Sequence, residues 1–580
     1  MPTLRCVAFW LTGLALGATS PAARADEFHK HVVVSVEANA SDVGRDILRQ
    51  GGNAIDAAVA TAFALAVTHP AAGNLGGGGF LVAFRAETRE VVTIDFREAA
   101  PAAAAERMYL GPDGKLLPHH RAGARAAAVP GTVRGLGLAS RLYGKRPWAE
   151  LVRPAARLAR EGFPVTETLA RSLNAQLFPD LKHAEDVVDH GTEPDSLAKF
   201  ASSIAAFRKS DSTTWKTGDR LVQPDLAATL DRIAEQGADE IYTGQTARLI
   251  ASYMAHENGL ITLEDLAGYR ARDRLPLHST FRGFDVYGVG PPSSGGIVLA
   301  QMLNILERFE LKADGPRSPR TLHRVTEAMR RGFYTRATAI ADPDFVSVPT
   351  VRLISKEYAG ELARSITDRA TPSAQLADFP VLPAEGEHTT HLSTIDSEGN
   401  AVALTYTLEE SFGSKAVVAG AGFLLNNEMG DFNLIPGRTD TAGQIGTSAN
   451  RIAPGKRMLS SQTPTIVVKD GQVLLVTGSP GGRTIPNTVL WVVLNVLEFD
   501  LEPKEAVKAP RTHHAWFPDQ LRLEGSGWEA ATIEALSQMG HKVELGRTQG
   551  DAHTIVVDRA QRTIYGVPDP RRKTSKASGD

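Results

Sequence analysis

The sequence predicts a mixed α/β fold, with helices through its middle and paired strands in its last third. Two hairpins and one apolar helix carry that expectation. Residues 392–396 and 401–407 alternate apolar and polar side chains about Ser397-Glu398-Gly399-Asn400, a turn rich in residues that tolerate positive φ. Residues 463–468 and 473–477 repeat the pattern about Asp470-Gly471. Residues 54–68 are apolar on nearly every helical face, yet Asp56 and the short length suit a protein core and not a bilayer.

At 580 residues the chain exceeds the usual single domain, so two domains or one large two-lobed body is expected. The 42% hydrophobic content suffices for a core, and a net charge of −3 argues against nucleic acid or a polybasic membrane role. Arg5, the short apolar run Cys6 to Leu16 and Ala23-Arg24-Ala25 read as a signal peptide over residues 1–25. The expected location is periplasmic or secreted, with no membrane span after cleavage. Cys6 is the only cysteine, so disulfides and thiol catalysis are excluded from the mature chain.

In chain order, Val32 to Val36 reads as a buried strand, and Ser41 as the N-cap of an amphipathic helix. Gly51-Gly52-Asn53 ends that helix, and Pro70 stops the next one. Gly76 to Gly79 lack the Lys-Ser/Thr pair of a phosphate loop, so they predict a close backbone crossing before the strand Phe80 to Phe84. A strand from Val91 delivers Arg97 at its end. Residues 130–280 are mainly helical, and Phe284 to Val289 returns to strand. Ser293 or Ser294 then reads as the N-cap of a helix over 297–309, because no G-x-S-x-G elbow is present. Further on come Gly422 to Asn426 as a short strand, a long loop from Asn433 to Met458, and an apolar helix over 488–497. Residues beyond about 570 are polar and expected to fray.

The chemistry centres on Glu387-His388-Thr389-Thr390-His391, where a loop containing Pro380, Pro383 and Gly386 enters the first hairpin. A hydroxyl placed there suits an N-terminal nucleophile exposed by cutting the chain just before it. His391 shares a strand face with Thr389 but is poorly aimed as a base, and reads as structural. Glu409, Glu428 and Asp431 supply carboxylates near strand ends, and Arg97 with Ser460-Ser461 supplies a cation and hydroxyls. Together they complement a zwitterion such as an α-amino acid head group. Gly481-Gly482 offers adjacent backbone N–H groups at a helix start, an oxyanion site. His119-His120 and His513-His514 lack metal-site spacing and read as loop or surface histidines; no cofactor is expected.

The chain resembles the γ-glutamyltranspeptidases (glutathione hydrolases), a family of N-terminal nucleophile hydrolases. The matching segments run from Val34 to Pro568 and include residues 51–58, 68–79 and 95–98, the Pro291–Gly296 run, Thr389-Thr390-His391, residues 425–429, Ser460-Ser461 and residues 478–482. The resemblance implies a four-layer αββα sandwich. It implies self-cleavage between His388 and Thr389 into a large chain, 26–388, and a small chain, 389–580, that stay associated as one catalytic body. It assigns Thr389 as nucleophile, Thr407 as its orienting partner, and Gly481 and Gly482 as the oxyanion hole. Arg97, Ser460 and Ser461 would hold the substrate α-carboxylate, and Glu409, Glu428 and Asp431 its α-ammonium. The implied substrates are glutathione and other γ-glutamyl compounds, the acyl group passing to water or to an acceptor amino acid or dipeptide. Glu409 stands where several relatives have Asn, and Ala442 where some place a gating tyrosine. The alternatives are a related glutaryl or cephalosporin acylase and a non-catalytic amino-acid-binding protein that never matures.

Overall fold

The computed structural model describes residues 26–180, 195–377, 389–441, 444–525 and 527–580. The expected signal peptide, His388 and Ala442 lie outside the described residues.

Two seven-stranded sheets form the centre. The first runs Lys576–Gly579, Val32–Ser35, Thr390–Ile395, Ala401–Thr407, Gly78–Arg85, Glu90–Asp95, Arg272–Arg274, and every neighbouring pair is antiparallel. The second contains the Thr465–Lys469 and Gln472–Thr477 hairpin, with Asp470 and Gly471 both at positive φ in its turn. Between the sheets lie Val32, Val34, Phe80 and Val82 from one and Ile466, Val468, Val476 and Ile555 from the other. On its outer face the first sheet turns Leu392, Val402, Leu404 and Tyr406 toward a cluster that includes the helix Ala54–Thr68. The helices Gly295–Leu306, Pro319–Ala339 and Ile485–Leu497 cover the second sheet. The layers are therefore helices, sheet, sheet, helices, one αββα sandwich in place of two lobes. Strands buried on both faces explain the near-continuous apolar runs of the sequence.

Four local expectations are corrected. Glu37, not Ser41, caps the first helix, Ala38–Arg49, its carboxylate accepting from Ala40 N–H at 3.1 Å. Ser41 is buried inside it, and its hydroxyl donates to the Lys576 carbonyl at 2.9 Å. That contact belongs to the second correction: the polar C-terminus is an ordered strand, Lys576–Gly579, paired with Val32–Ser35. Asp580 closes it, its carbonyl accepting from His29 and Lys30 N–H at 2.9 and 2.8 Å. Residues 422–426 make only isolated bridges. His513 and His514 are buried; Asn487 Nδ2 lies 2.7 Å from His513 Nδ1, and Asp519 lies 3.2 Å from His514.

The glycine run makes the expected close crossing. A Cβ on Gly77 would sit 1.9 Å from the Thr407 carbonyl oxygen, and one on Gly79 2.3 Å from that of Thr405. Only hydrogen fits where this strand meets Ala401–Thr407.

Candidate active site

Hairpin register builds the first pair. Thr390 lies opposite Tyr406, so Thr389, one residue before the strand, comes level with Thr407. Thr389 Oγ1 donates to Thr407 Oγ1 at 3.5 Å, and Thr407 Oγ1 accepts from Glu409 N–H at 2.7 Å. The Thr407 carbonyl is held in turn by Asn74 Nδ2 at 2.9 Å. Glu409 has φ of +79°, a left-handed conformation that bends the chain away after Thr407. Glu410 does not line the cleft; Arg121 at 2.6 Å and Lys415 at 3.4 Å pair with it.

The two halves of the expected zwitterion clamp meet directly. Arg97, just past its strand and 1% exposed, puts Nη1 2.7 Å from Glu428 and 3.4 Å from Glu98, and pairs through Nη2 with Asp431. Its Nε and Nη2 also donate to the Met458 and Leu459 carbonyls, each at 3.3 Å. Burial raises Glu428 and Glu409 well above the carboxylate range and pushes Glu98 up to about 7, while the adjacent guanidinium pulls Glu98 and Glu428 back down. Glu428 starts a short 3₁₀ turn set by Asn426, whose Oδ1 accepts from Ala128 and Glu428 N–H.

Ser460 and Ser461 are fixed from the Pro291–Gly296 run. Ser294 directs both its N–H, at 2.9 Å, and its hydroxyl, at 2.7 Å, to the Ser460 carbonyl. Ser293 donates to the Gln462 carbonyl at 2.6 Å. These serines therefore staple the site segment, and neither makes a side-chain cap for the helix that follows. Both site hydroxyls accept from the protein: Ser460 from Gln462 N–H at 3.1 Å, Ser461 from Arg336 Nε at 3.0 Å. Each hydroxyl hydrogen is then left to donate elsewhere.

Gly481, at φ +123°, and Gly482, at φ +50°, precede the helix Ile485–Leu497, so their N–H groups sit at its positive end. A Cβ on Gly481 would lie 2.4 Å from Thr484 Oγ1. His391 is fully buried, its ring nitrogens engaged by Thr405 at 2.8 Å and Ser393 at 3.0 Å. Burial holds it well below the usual histidine range, as the structural reading requires.

One narrow cleft gathers Arg97, Thr389, Thr407, Glu409, Glu428, Asp431, Ser460, Ser461 and Gly482. Gly481 adjoins it in the chain. Sequence reasoning missed three further lining residues, Arg336, Gln462 and Ile485. Gln462 directly follows the serine pair and could have been found there; Arg336 sits mid-helix with no local signal. Among the described residues, none from the Asn433–Met458 loop lines the cleft. Asn450 ties that loop to the site, its Nδ2 donating to the Asp431 carbonyl at 2.7 Å and its Oδ1 accepting from Leu459 N–H at 2.9 Å.

The arrangement offers a hydroxyl nucleophile, an anion-stabilising helix start and a charged clamp in one cavity. Comparison with known proteins agrees with it. Residues 40–579 match the family model of γ-glutamyltranspeptidase. The Escherichia coli glutathione hydrolase proenzyme is 44% identical over 96% of this chain and 93% of its own. The crystal structure of cephalosporin acylase from Bacillus halodurans superposes with a TM-score of 0.82 at 27% identity, covering 98% of this chain and 99% of its own. That of Helicobacter pylori γ-glutamyltranspeptidase gives 0.54 at 38% identity, over 64% of this chain and 97% of its own. The chain belongs to the γ-glutamyltranspeptidase family.

Proposed function

We propose that the protein is a self-processing γ-glutamyltransferase and glutathione hydrolase. The observation that carries this reading is the single cleft in which Thr389 and Thr407 face Arg97, Glu428, Asp431 and the Ser460-Ser461 pair.

In maturation, Thr389 Oγ1 attacks the His388 carbonyl carbon, the peptide bond shifts to an ester, and water hydrolyses the ester. His388 leaves as a carboxylate and the Thr389 α-amine is freed. An α-amine has a reference pKa of about 8, close enough to neutral to act as the base for its own hydroxyl. In turnover, that amine takes the Oγ1 proton as Oγ1 bonds to the γ-carbonyl carbon of the substrate. The Gly481 and Gly482 N–H groups receive the developing oxyanion. The C–N bond then breaks, the amine product takes the proton, and a γ-glutamyl ester remains on Thr389. Water or an acceptor amine attacks this ester, and the α-amine again moves the proton.

The clamp supports a γ-glutamyl over a glutaryl donor. Arg97 already faces Glu98, Glu428 and Asp431, so a glutaryl group adds a negative charge to an acidic cavity. A zwitterion adds none, and its ammonium offsets the buried carboxylates. The acylase likeness in overall fold stands on the other side, and the substrates separate the two readings. The proenzyme name of the E. coli relative supports processing into chains 26–388 and 389–580. Interleaved strands from both sides of the cut would keep them associated. Residues 1–25 support export to the periplasm or medium, and no described helix is long and apolar enough to cross a membrane.

Mass spectrometry of the purified wild type should find both chains, and of Thr389→Ala one uncut inactive chain. Wild type should turn over γ-glutamyl-p-nitroanilide far faster than glutaryl-p-nitroanilide. An uncut yet active wild type, or the reverse substrate order, would sink the reading.

A further inference from the structure

Two side chains of the cleft are fully buried and make no hydrogen bond among the described residues: Glu428 through both carboxylate oxygens, and Gln462 through both its amide oxygen and nitrogen. Glu428 still has an ionic partner in Arg97 at 2.7 Å. The Gln462 amide has no partner among the described residues. Its side chain is 1% exposed, and its backbone is locked on both sides, the N–H by Ser460 Oγ and the carbonyl by Ser293 Oγ. Buried amides are nearly always satisfied, because losing water without a replacement partner is costly. A side-chain amide that lines a cleft and lacks protein partners is therefore poised for a ligand.

We propose that Gln462 is a substrate-binding residue that reads the α-amino acid head group of the donor. Its Nε2 donates to the α-carboxylate beside Arg97, Ser460 and Ser461, and its Oε1 accepts from the α-ammonium. An amide donates from its nitrogen and accepts at its oxygen, two separate atoms that can meet the two charges of a zwitterion. It adds hydrogen bonds to a zwitterion without adding charge to a cavity already crowded with carboxylates. Gln462 follows Ser460 and Ser461 directly, and all three residues line the cleft. This inference rests on the γ-glutamyl reading given above.

The test is Gln462→Met, which keeps the side-chain volume and removes both hydrogen-bonding atoms. Maturation into two chains, followed by mass spectrometry, reports that the fold is kept; Gln462→Asn serves as a second variant that retains the amide. With γ-glutamyl-p-nitroanilide, Gln462→Met should raise KM about tenfold or more, the loss expected for a hydrogen bond to a charged group, with kcat within about twofold. With 4-aminobutyryl-p-nitroanilide, which lacks the α-carboxylate, the penalty should shrink to about threefold or less. Gln462→Asn should fall between wild type and Gln462→Met. An unchanged or lower KM in Gln462→Met would overturn the proposal while wild-type turnover left the γ-glutamyl reading standing. An equal penalty on both substrates would also overturn it, since that is what a structural role produces. A wild type that prefers glutaryl-p-nitroanilide would overturn both.

Discussion

Gly77 is the point at which a substitution far from the substrate should disable the nucleophile. A Cβ there would lie 1.9 Å from the Thr407 carbonyl oxygen and 2.7 Å from Asn74 Oδ1, and real Cβ atoms essentially never approach closer than 3.0 Å. Gly77→Ala must then push the two strands apart by roughly 1 Å, the shortfall in that contact. Side-chain rotation cannot relieve it, because the nearest obstacle is backbone in the sheet. Asn74 receives the rest of the strain; it holds Gly77 N–H at 3.0 Å, Thr132 Oγ1 at 2.7 Å and the Thr407 carbonyl at 2.9 Å. Thr407 Oγ1 accepts a hydrogen bond from Thr389 Oγ1, so the displacement is passed to the proposed nucleophile. A 1 Å misplacement of a reacting group costs about a hundredfold in rate. Self-cleavage followed on denaturing gels and kcat with γ-glutamyl-p-nitroanilide should both fall by about that factor, with KM much less affected. Maturation and kcat within threefold of wild type would refute the idea that the glycine run sets the catalytic threonine pair.

Three further outcomes are expected. Burial pushes Glu98 up to about 7 and raises Glu428 and Glu409 well above the carboxylate range, so acid protonates these groups at a higher pH than it would an exposed carboxylate. An ammonium needs ionised carboxylates, so kcat/KM should start to fall in acid at a pH above the ordinary carboxylate range, and a limb confined to pH 4–5 in a pH–rate profile would contradict this. Arg336→Met removes the donor at 3.0 Å that orients the Ser461 hydroxyl; KM for the γ-glutamyl donor should rise several-fold, with partial recovery in Arg336→Lys. Ala442 stands where some relatives place a gating tyrosine, so water should reach the ester readily. Product analysis at saturating glycylglycine and neutral pH should therefore show more hydrolysis than transfer.

Much of the site was legible because its groups sit where patterning changes. Thr407 ends a strand, Arg97 lies just past the end of one, Thr389 just before the start of another, and Gly481-Gly482 leads into an apolar helix. What escaped depends on partners distant in the chain. Ser294 occupies the N-cap position as read, but its hydroxyl bonds to the Ser460 carbonyl, 166 residues away, and not to the helix. Lys576–Gly579 has too little apolar character to announce a strand, yet Val32–Ser35 supplies its ladder and Ser41 its side-chain bond. Ser41 misled for the same reason, since a hydroxyl near a helix start fits a cap unless tertiary contacts claim it. The separation of clamp from counter-clamp was also illusory: composition lists an arginine and three carboxylates, and only the fold puts the guanidinium against two of them.

The contact between Asp580 and residues 29–30 bears on how a protein with residues 1–25 removed could be rebuilt. Asp580 bonds to His29 and Lys30, so Asp26 lies within about 13 Å of the Asp580 carbonyl, at roughly 3.3 Å per residue plus the 2.9 Å bond to His29. A few glycines would bridge that gap, and neighbouring termini favour circular permutation. A rearranged gene could begin at Thr389, run through Asp580 and the bridge to Asp26, and stop at Ala377. Once the initiator methionine is trimmed, its threonine carries a free amine from synthesis onward. Such a protein would be born active as one polypeptide, separating the chemistry of turnover from that of birth.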